Sequence, residues 1–125
     1  MRASDQDRVL RLGPLESQVM NILWDNGPST IKEIIDGLGG EMAYTTIATV
    51  LTNLQRKHLV TSQKKGRSAY FSAGLTREEF AAQTIDQVLE ASNDRAASIL
   101  HFVKSMSDDD LDLLRGYLAD NPGSE

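Results

Sequence analysis

The feature that most constrains the fold is a change of hydrophobic period near residue 59. Upstream, apolar residues recur at the i, i+3, i+4, i+7 spacing of a helix with one apolar face: Ile47, Val50, Leu51 and Leu54. From Leu59 to Ser72 the pattern alternates on both sides of Lys64–Arg67, which is typical of two short strands joined by a tight turn. The sequence therefore predicts a helix followed directly by a two-stranded hairpin.

Two further helices are predicted upstream of this helix. Pro14 suits a first helical turn because its missing N–H needs no partner there, and Asn26–Pro28 ends that helix. Thr30–Glu33 is a capping-box pattern that starts a second helix, which ends at Gly39–Gly40. The third helix is predicted over about Ala43–Lys57. The order α-α-α-β-β is that of a winged helix-turn-helix, in which the third helix enters the major groove of DNA and the hairpin contacts the backbone.

After residue 75 the chain is again helical, and it becomes acidic. Helix starts are predicted at the capping-box pattern Thr76–Glu79, at Asn93 or Asp94, and at Ser107. The predicted fold class is mainly α with a small β-hairpin wing. The predicted organisation is a flexible N-terminal arm (residues 1–11), a winged helix-turn-helix DNA-binding domain (12–75), a helical dimerisation domain (76–120) and a C-terminal tail (121–125).

The helices of residues 76–120 carry more apolar side chains than so small a module can bury alone. Pairing two copies would cover them, so we expect a homodimer. The predicted interface residues are Phe80, Ile85, Val88, Leu89, Ile99, Phe102, Val103, Leu111, Leu114 and Leu118. A two-fold dimer places its two third helices about 34–36 Å apart, or a multiple of that distance, and so predicts a palindromic DNA site.

The charge of the chain is unevenly distributed. The net charge of −5 disfavours DNA at first, because binding phosphates requires Lys and Arg. Residues 1–75, however, carry nine basic and seven acidic side chains, whereas residues 76–125 carry four and eleven. No acidic residue lies between Glu41 and Glu78, a window that holds Arg56, Lys57, Lys64, Lys65, Arg67 and Arg77. This local positive charge fits a surface that faces phosphates.

The solvent side of the predicted third helix is uncharged before its last turn. Threonines dominate it although Thr is a poor helix former, so helix stability does not explain them. A Thr hydroxyl can bond a base edge, and its methyl group can pack on thymine. The residues predicted to contact the DNA groove are Tyr44, Thr45, Thr46, Thr49, Thr52, Asn53 and Arg56, and those predicted to contact phosphates from the wing are Lys64, Lys65 and Arg67.

Alternative interpretations stay open at this point. Threonines on a helix are often only a solvated surface, and a basic hairpin tip often serves solubility. A winged helix can also use its third helix to bind a protein, which the acidity of the chain would suit. An enzyme has little support, because no nucleophile, base and orienting group converge.

Composition excludes several classes of site. With no cysteine there is no disulfide or thiolate metal site, and two histidines, His58 and His101, are too few for most zinc sites. We therefore predict no metal and no cofactor. No segment has the ~20 apolar residues of a membrane span, and no signal peptide is recognised, so a cytoplasmic protein is expected.

Three segments together resemble the penicillinase-repressor family (BlaI/MecI/CopY). They are Gly13–Trp24, with the string L-E-x-x-V-M-x-x-L-W, then Ala43–Leu54, with Y-T-T-x-x-T-V-L-x-x-L, and Lys57–Val60. The similarity covers roughly residues 12–120 and is strongest before residue 75. The resemblance implies a homodimeric repressor on a palindromic operator in double-stranded DNA.

The resemblance also implies how repression ends. In several members a membrane sensor-protease that responds to β-lactams cuts the repressor in its dimerisation region. The matching bond in this sequence is His101–Phe102, and His101 stands where some relatives have asparagine. The copper-responsive members use a cysteine cluster, which this chain lacks.

Overall fold

A computed structural model describes residues 12–123, so the predicted arm of residues 1–11 and the last two residues of the predicted tail lie outside the described range. Within residues 12–123, the chain forms α1 (Pro14–Asn26), α2 (Ile31–Gly37), α3 (Tyr44–Arg56), β1 (Val60–Lys65), β2 (Ser68–Ala73), α4 (Arg77–Ala91), α5 (Arg95–Lys104) and α6 (Asp108–Asp120). The predicted element order and the mainly α class with a hairpin wing are confirmed.

The predicted capping patterns start their helices. At α2 the Thr30 hydroxyl accepts a hydrogen bond from the Glu33 N–H (3.1 Å), and the Glu33 carboxylate accepts one from the Thr30 N–H (2.9 Å). Thr76 and Glu79 repeat this reciprocal pair at α4, at 2.9 and 2.8 Å. Single side chains cap the last two helices: Asp94 for α5 and Ser107 for α6. These bonds satisfy N–H groups that a helix start leaves without partners.

One hydrophobic core joins α1, α2, α3 and the base of the wing. Its buried side chains are Val19, Met20, Leu23, Ile31, Ile34, Ile47, Val50, Leu51, Leu54, Leu59 and Val60. The whole predicted apolar stripe of α3 belongs to this core. The rotation of α3 about its own axis is therefore fixed by packing.

A Schellman motif turns the chain from α3 into β1. His58 has φ of +65°, in the left-handed region that residues other than glycine rarely adopt. Its N–H donates to the Gln55 carbonyl, and the Leu59 N–H donates to the Leu54 carbonyl, both at 2.9 Å. Leu54 and Leu59 are both buried, so the turn is held by packing as well as by hydrogen bonds.

The wing is an antiparallel hairpin with a two-residue loop. Its register runs from Val60 opposite Ala73 to Lys65 opposite Ser68, and Gly66 supplies a positive φ of 61° in the loop. A further bridge attaches β2 to the connection between α1 and α2. There the Ser29 N–H donates to the Phe71 carbonyl (2.9 Å) and the Phe71 N–H donates to the Ser29 carbonyl (2.8 Å).

The start of α4 is anchored on α1. The Trp24 indole N–H donates to the Leu75 carbonyl at 2.9 Å, and the Arg77 guanidinium lies 5.0 Å from the centre of the Trp24 ring. Arg77 also pairs with Asp25 at 3.1 Å, and the rings of Trp24 and Phe80 are 5.7 Å apart. Phe80, a predicted interface residue, is thus partly buried against the core of its own chain.

The chain divides into two compact units between Ile85 and Asp86, inside α4. The predicted domain boundary lies ten residues earlier, at residue 76. The anchor of α4 on Trp24 explains why the first turns of this helix belong to the first unit. The division of function between residues 12–75 and 76–120 stays a prediction.

The second unit contains the end of α4 with α5 and α6. Arg95 of α5 forms ion pairs with two residues of α4, Asp86 at 2.7 Å and Glu90 at 3.0 Å, and so connects the two helices. The hydrogen bond to Asp86 is the main reason why the pKa of Arg95 is raised. No side chain of α4, α5 or α6 is fully buried within the single chain.

The core packing of α3 is tested by two substitutions on that helix. Ile47→Ala removes a fully buried side chain and is expected to lower the free energy of unfolding by about 2–5 kcal/mol. Thr49→Ala changes an exposed position and, because Ala is the better helix former, is expected to leave it unchanged or to raise it by up to about 0.7 kcal/mol. Urea denaturation at a fixed protein concentration measures both. Equal effects would contradict the orientation of α3.

Candidate nucleic-acid interface

The side of α3 opposite the core forms an exposed surface with little charge. Among the seven predicted groove residues, Tyr44 is 62% exposed, and Thr45, Thr49, Thr52 and Arg56 are exposed as well. Thr46 and Asn53 are half-buried at its edges. The structure thus brings all seven predicted residues to one side of one helix, with Arg56 alone charged.

Hydrogen bonds order the second half of this surface. The Thr52 hydroxyl donates to the Ala48 carbonyl at 3.0 Å, so its oxygen remains available as an acceptor and its methyl group points away from that bond. The Arg56 guanidinium donates to the Asn53 side-chain carbonyl, also at 3.0 Å. Arg56 and Asn53 therefore form a polar pair in the last turns of α3.

The wing places three cations beyond the end of α3. Lys64, Lys65 and Arg67 are exposed, and none of them forms an ion pair within the described part of the chain. The Gln55 side-chain amide donates to the Ser62 hydroxyl at 3.1 Å and connects α3 to β1. This bond holds the base of the wing beside the helix whose surface carries the threonines.

Two basic residues of the acid-free window have structural roles instead. The Lys57 ammonium lies 3.1 Å from the Glu16 carboxylate, and these side chains are only 20% and 15% exposed. Arg77 is held by Asp25 and Trp24. The cations that the window offers to a ligand are therefore Arg56, Lys64, Lys65 and Arg67.

The predicted interface residues differ in exposure within the single chain. Ile85, Val88, Ile99, Phe102, Leu114 and Leu118 are exposed, whereas Leu89, Val103 and Leu111 are half-buried. Leu100 and Tyr117, which belong to the same apolar set of the tail, are exposed as well, whereas the exposed Leu113 is missing from the prediction. Leu113, at 75% exposure, lies beside the predicted stripe of α6, so helical periodicity alone does not select it.

The segment predicted to be cut is helical. His101 and Phe102 both lie inside α5, and both are exposed.

Neither a metal site nor a membrane-spanning helix is present in residues 12–123. No group of three or more His, Cys, Asp or Glu side chains in this range is placed to hold a metal ion. No helix in the same range is long and apolar enough to cross a lipid bilayer.

A helix packed in the core on one side and uncharged until its last turn on the other, followed by a hairpin with a cationic tip, defines the class of winged helix-turn-helix proteins. Comparison of the sequence with protein families supports this class and narrows it. The sequence model described as penicillinase repressor matches residues 12–120. The chain belongs to the penicillinase repressor family, as the three resembling segments predicted, and is a transcriptional regulator rather than an enzyme.

Individual relatives agree with the family. The chain is 34% identical over 119 residues to the transcriptional regulator BlaI of Mycobacterium tuberculosis, in the strains CDC 1551 and H37Rv. The match covers 90% of this chain and 86% of the relative. It therefore includes the helical tail as well as the winged helix.

Solved structures share the fold at much lower sequence identity. A possible transcriptional regulatory protein from Mycobacterium bovis (fragment 1–100) is 22% identical with a TM-score of 0.52, covering 70% of this chain and 94% of that one. The adhesin competence repressor AdcR of Streptococcus pyogenes is 12% identical with a TM-score of 0.51, covering 94% and 80%. Both similarities confirm the winged-helix architecture.

Proposed function

We propose that the protein is a dimeric repressor that binds palindromic sites in double-stranded DNA. The observation that carries this proposal is the exposed side of α3, which is neutral and rich in hydroxyl groups while its other side is fixed in the core. Major-groove edges of bases present donors, acceptors and the thymine methyl group. A threonine hydroxyl can pair with a donor or an acceptor, and its methyl group can pack on that of thymine. Threonine adds no charge, and a charge would attract the phosphates of every sequence equally.

Phosphate contacts come from the wing in this proposal. Lys64, Lys65 and Arg67 are exposed and lack internal partners in the described chain, so they can replace counterions on the DNA backbone. Because backbone phosphates are the same at every sequence, these contacts position the protein without selecting a site. Selection is then a property of α3.

A second copy of the chain is the partner proposed for the tail. Residues 86–123 form a compact unit in which no helix buries a side chain, and large apolar residues remain exposed on α4, α5 and α6. Contiguous exposed apolar surface is uncommon on monomeric proteins, and covering it gains roughly 25 cal/mol per Å². The acidic charge of this region disfavours DNA as its partner.

The division of labour between α3 and the wing predicts two different mutant phenotypes. Thr49→Ala is expected to reduce the preference for the operator over a random duplex by about 2- to 12-fold, because a single neutral contact to a base is lost. Lys65→Ala is expected to weaken both duplexes alike and to flatten the dependence of log K on log salt by about one unit. Fluorescence anisotropy titrations between low and moderate salt measure both.

Two results would contradict this assignment. Identical behaviour of the two variants on both duplexes would mean that the roles of α3 and the wing are wrong. Absence of salt-dependent binding by the unmodified protein would favour the alternative of a protein-interaction module.

The proposed dimer is tested by placing a charge on the exposed apolar surface of α6. Leu118→Asp is expected to raise the dimer dissociation constant by at least about 100-fold, because an unpaired carboxylate would be buried. Asp109→Ala, an exposed change in the first turn of the same helix, serves as the control and should leave the dimer intact. Analytical ultracentrifugation gives both constants. A monomeric unmodified protein would overturn the proposal.

Release by proteolysis extends the proposal to a membrane sensor-protease. The bond His101–Phe102 lies inside α5, and a protease binds an extended backbone, so α5 must open locally before it is cut. In cells treated with a β-lactam, mass spectrometry is then expected to detect a fragment that ends at His101. Derepression of the target genes with only the intact chain present would contradict this release step.

A further inference from the structure

A groove of about 410 Å³ opens on the surface of the first unit, where three parts of the chain converge. It is lined by Thr30, Ile31 and Lys32 from the start of α2, by Tyr44 from the start of α3, and by Arg67, Ser68, Ala69 and Phe71 from the wing. Two of these residues are cations and none is acidic. The groove therefore has the charge of a site for an anion.

The backbone bridge between Ser29 and Phe71 builds this groove. It holds β2 against the residues just before α2, with hydrogen bonds of 2.9 and 2.8 Å in the two directions. Phe71 forms part of the lining. Arg67, four residues earlier in the chain, lines the groove from the turn of the wing. Lys32 and Arg67, far apart in sequence, thereby line a single groove.

The acidic residues of α2, Glu33 and Asp36, lie outside the lining of the groove. The Glu33 carboxylate is engaged by the Thr30 N–H as part of the helix cap. Asp36 lies 3.7 Å from the Lys32 ammonium, but the two side chains are 63% and 85% exposed. An exposed pair of this kind contributes little free energy, so Lys32 can exchange it for a stronger anionic partner.

We propose that this groove binds a phosphate of the DNA backbone, with Lys32 and Arg67 as the cations and the Tyr44 hydroxyl as a donor. The inference rests on the proposed function and deepens it. Lys32 becomes a DNA-binding residue in addition to those predicted on α3 and the wing. Of the two partners that Tyr44 can reach from the start of α3, a base or a phosphate, the groove favours the phosphate. Charge-assisted hydrogen bonds from ammonium and guanidinium groups are the usual way in which proteins bind phosphate oxygens.

The test compares Lys32→Ala with the unmodified protein on operator and random duplexes over a range of salt concentrations. Lys32→Ala is expected to bind both duplexes about three- to tenfold more weakly and to flatten the salt dependence by about one unit. Tyr44→Phe removes a neutral donor and is expected to weaken both duplexes alike with the salt dependence unchanged. Ala69→Glu places a carboxylate in the groove and should weaken both as well.

Two control variants separate the groove from general effects of charge. Asp36→Ala removes the internal partner of Lys32 but keeps the cation, so binding should not weaken. Lys104→Ala removes an exposed lysine of α5 and should leave the salt dependence unchanged. Thermal unfolding of every variant establishes that each one is folded.

Distinct results overturn the inference and the proposed function. If Lys32→Ala binds as the unmodified protein does while Lys65→Ala shows the flatter salt dependence, the groove assignment is wrong and the proposed function stands. If Lys104→Ala flattens the salt dependence as much as Lys32→Ala does, the groove assignment is also wrong. If the unmodified protein shows no salt-dependent binding to any duplex, both proposals fail.

Discussion

Packing of the apolar side of α3 in the core is the constraint on which the rest of the first unit depends. Ile47, Leu51 and Leu54 are almost completely buried, and rotating the helix to bury Thr49 in their place would expose a large side chain and enclose a hydroxyl without a partner. Either change costs about 2–3 kcal/mol, which is a large fraction of the stability of a small domain. The neutral surface is therefore held outward by the core behind it, and local helix propensity has little part in its position.

The distribution of charge shows how an acidic protein can present a surface suited to a polyanion. Inside the acid-free window, Lys57 and Arg77 are paired internally with Glu16 and Asp25, where they connect α3 and α4 to α1. The cations left at the surface are those near the end of α3 and on the wing. Most carboxylates belong to residues 76–125, outside the acid-free window. Net charge therefore says little about this interface.

The features that the sequence predicts correctly are those that local spacing determines. A capping box joins residues three apart, and an apolar stripe repeats within one helix, so Thr30–Glu33, Thr76–Glu79 and the core side of α3 are visible without a structure. Contacts between distant residues are not visible in this way. The Ser29–Phe71 bridge has no sequence signature, and it is the contact that brings Lys32 to the wing.

Two other differences come from ambiguity in the residue types themselves. His58 adopts a left-handed conformation without the glycine that normally marks one, because the buried Leu54 and Leu59 hold the turn. Phe80 follows the same helical period whether it packs on its own chain or on a second copy. The contact with Trp24, whose ring lies 5.7 Å from that of Phe80, shows that Phe80 packs on its own chain. This long-range contact is also the reason why the first turns of α4 belong to the first unit.

The internal hydrogen bonds of α3 limit what its surface can offer to a base. Because the Thr52 hydroxyl proton is directed to the Ala48 carbonyl, Thr52 presents an acceptor and a methyl group, which complement an amino group or a thymine methyl rather than a guanine acceptor edge. One lone pair of the Asn53 carbonyl accepts from Arg56, so the two-bond contact with adenine has to use the other lone pair. The bond between Arg56 and Asn53 is exposed to solvent, so its loss costs about 1 kcal/mol, less than a good base contact returns. Arg56 and Asn53 are thus coupled, so the base that one of them contacts constrains which base the other can contact.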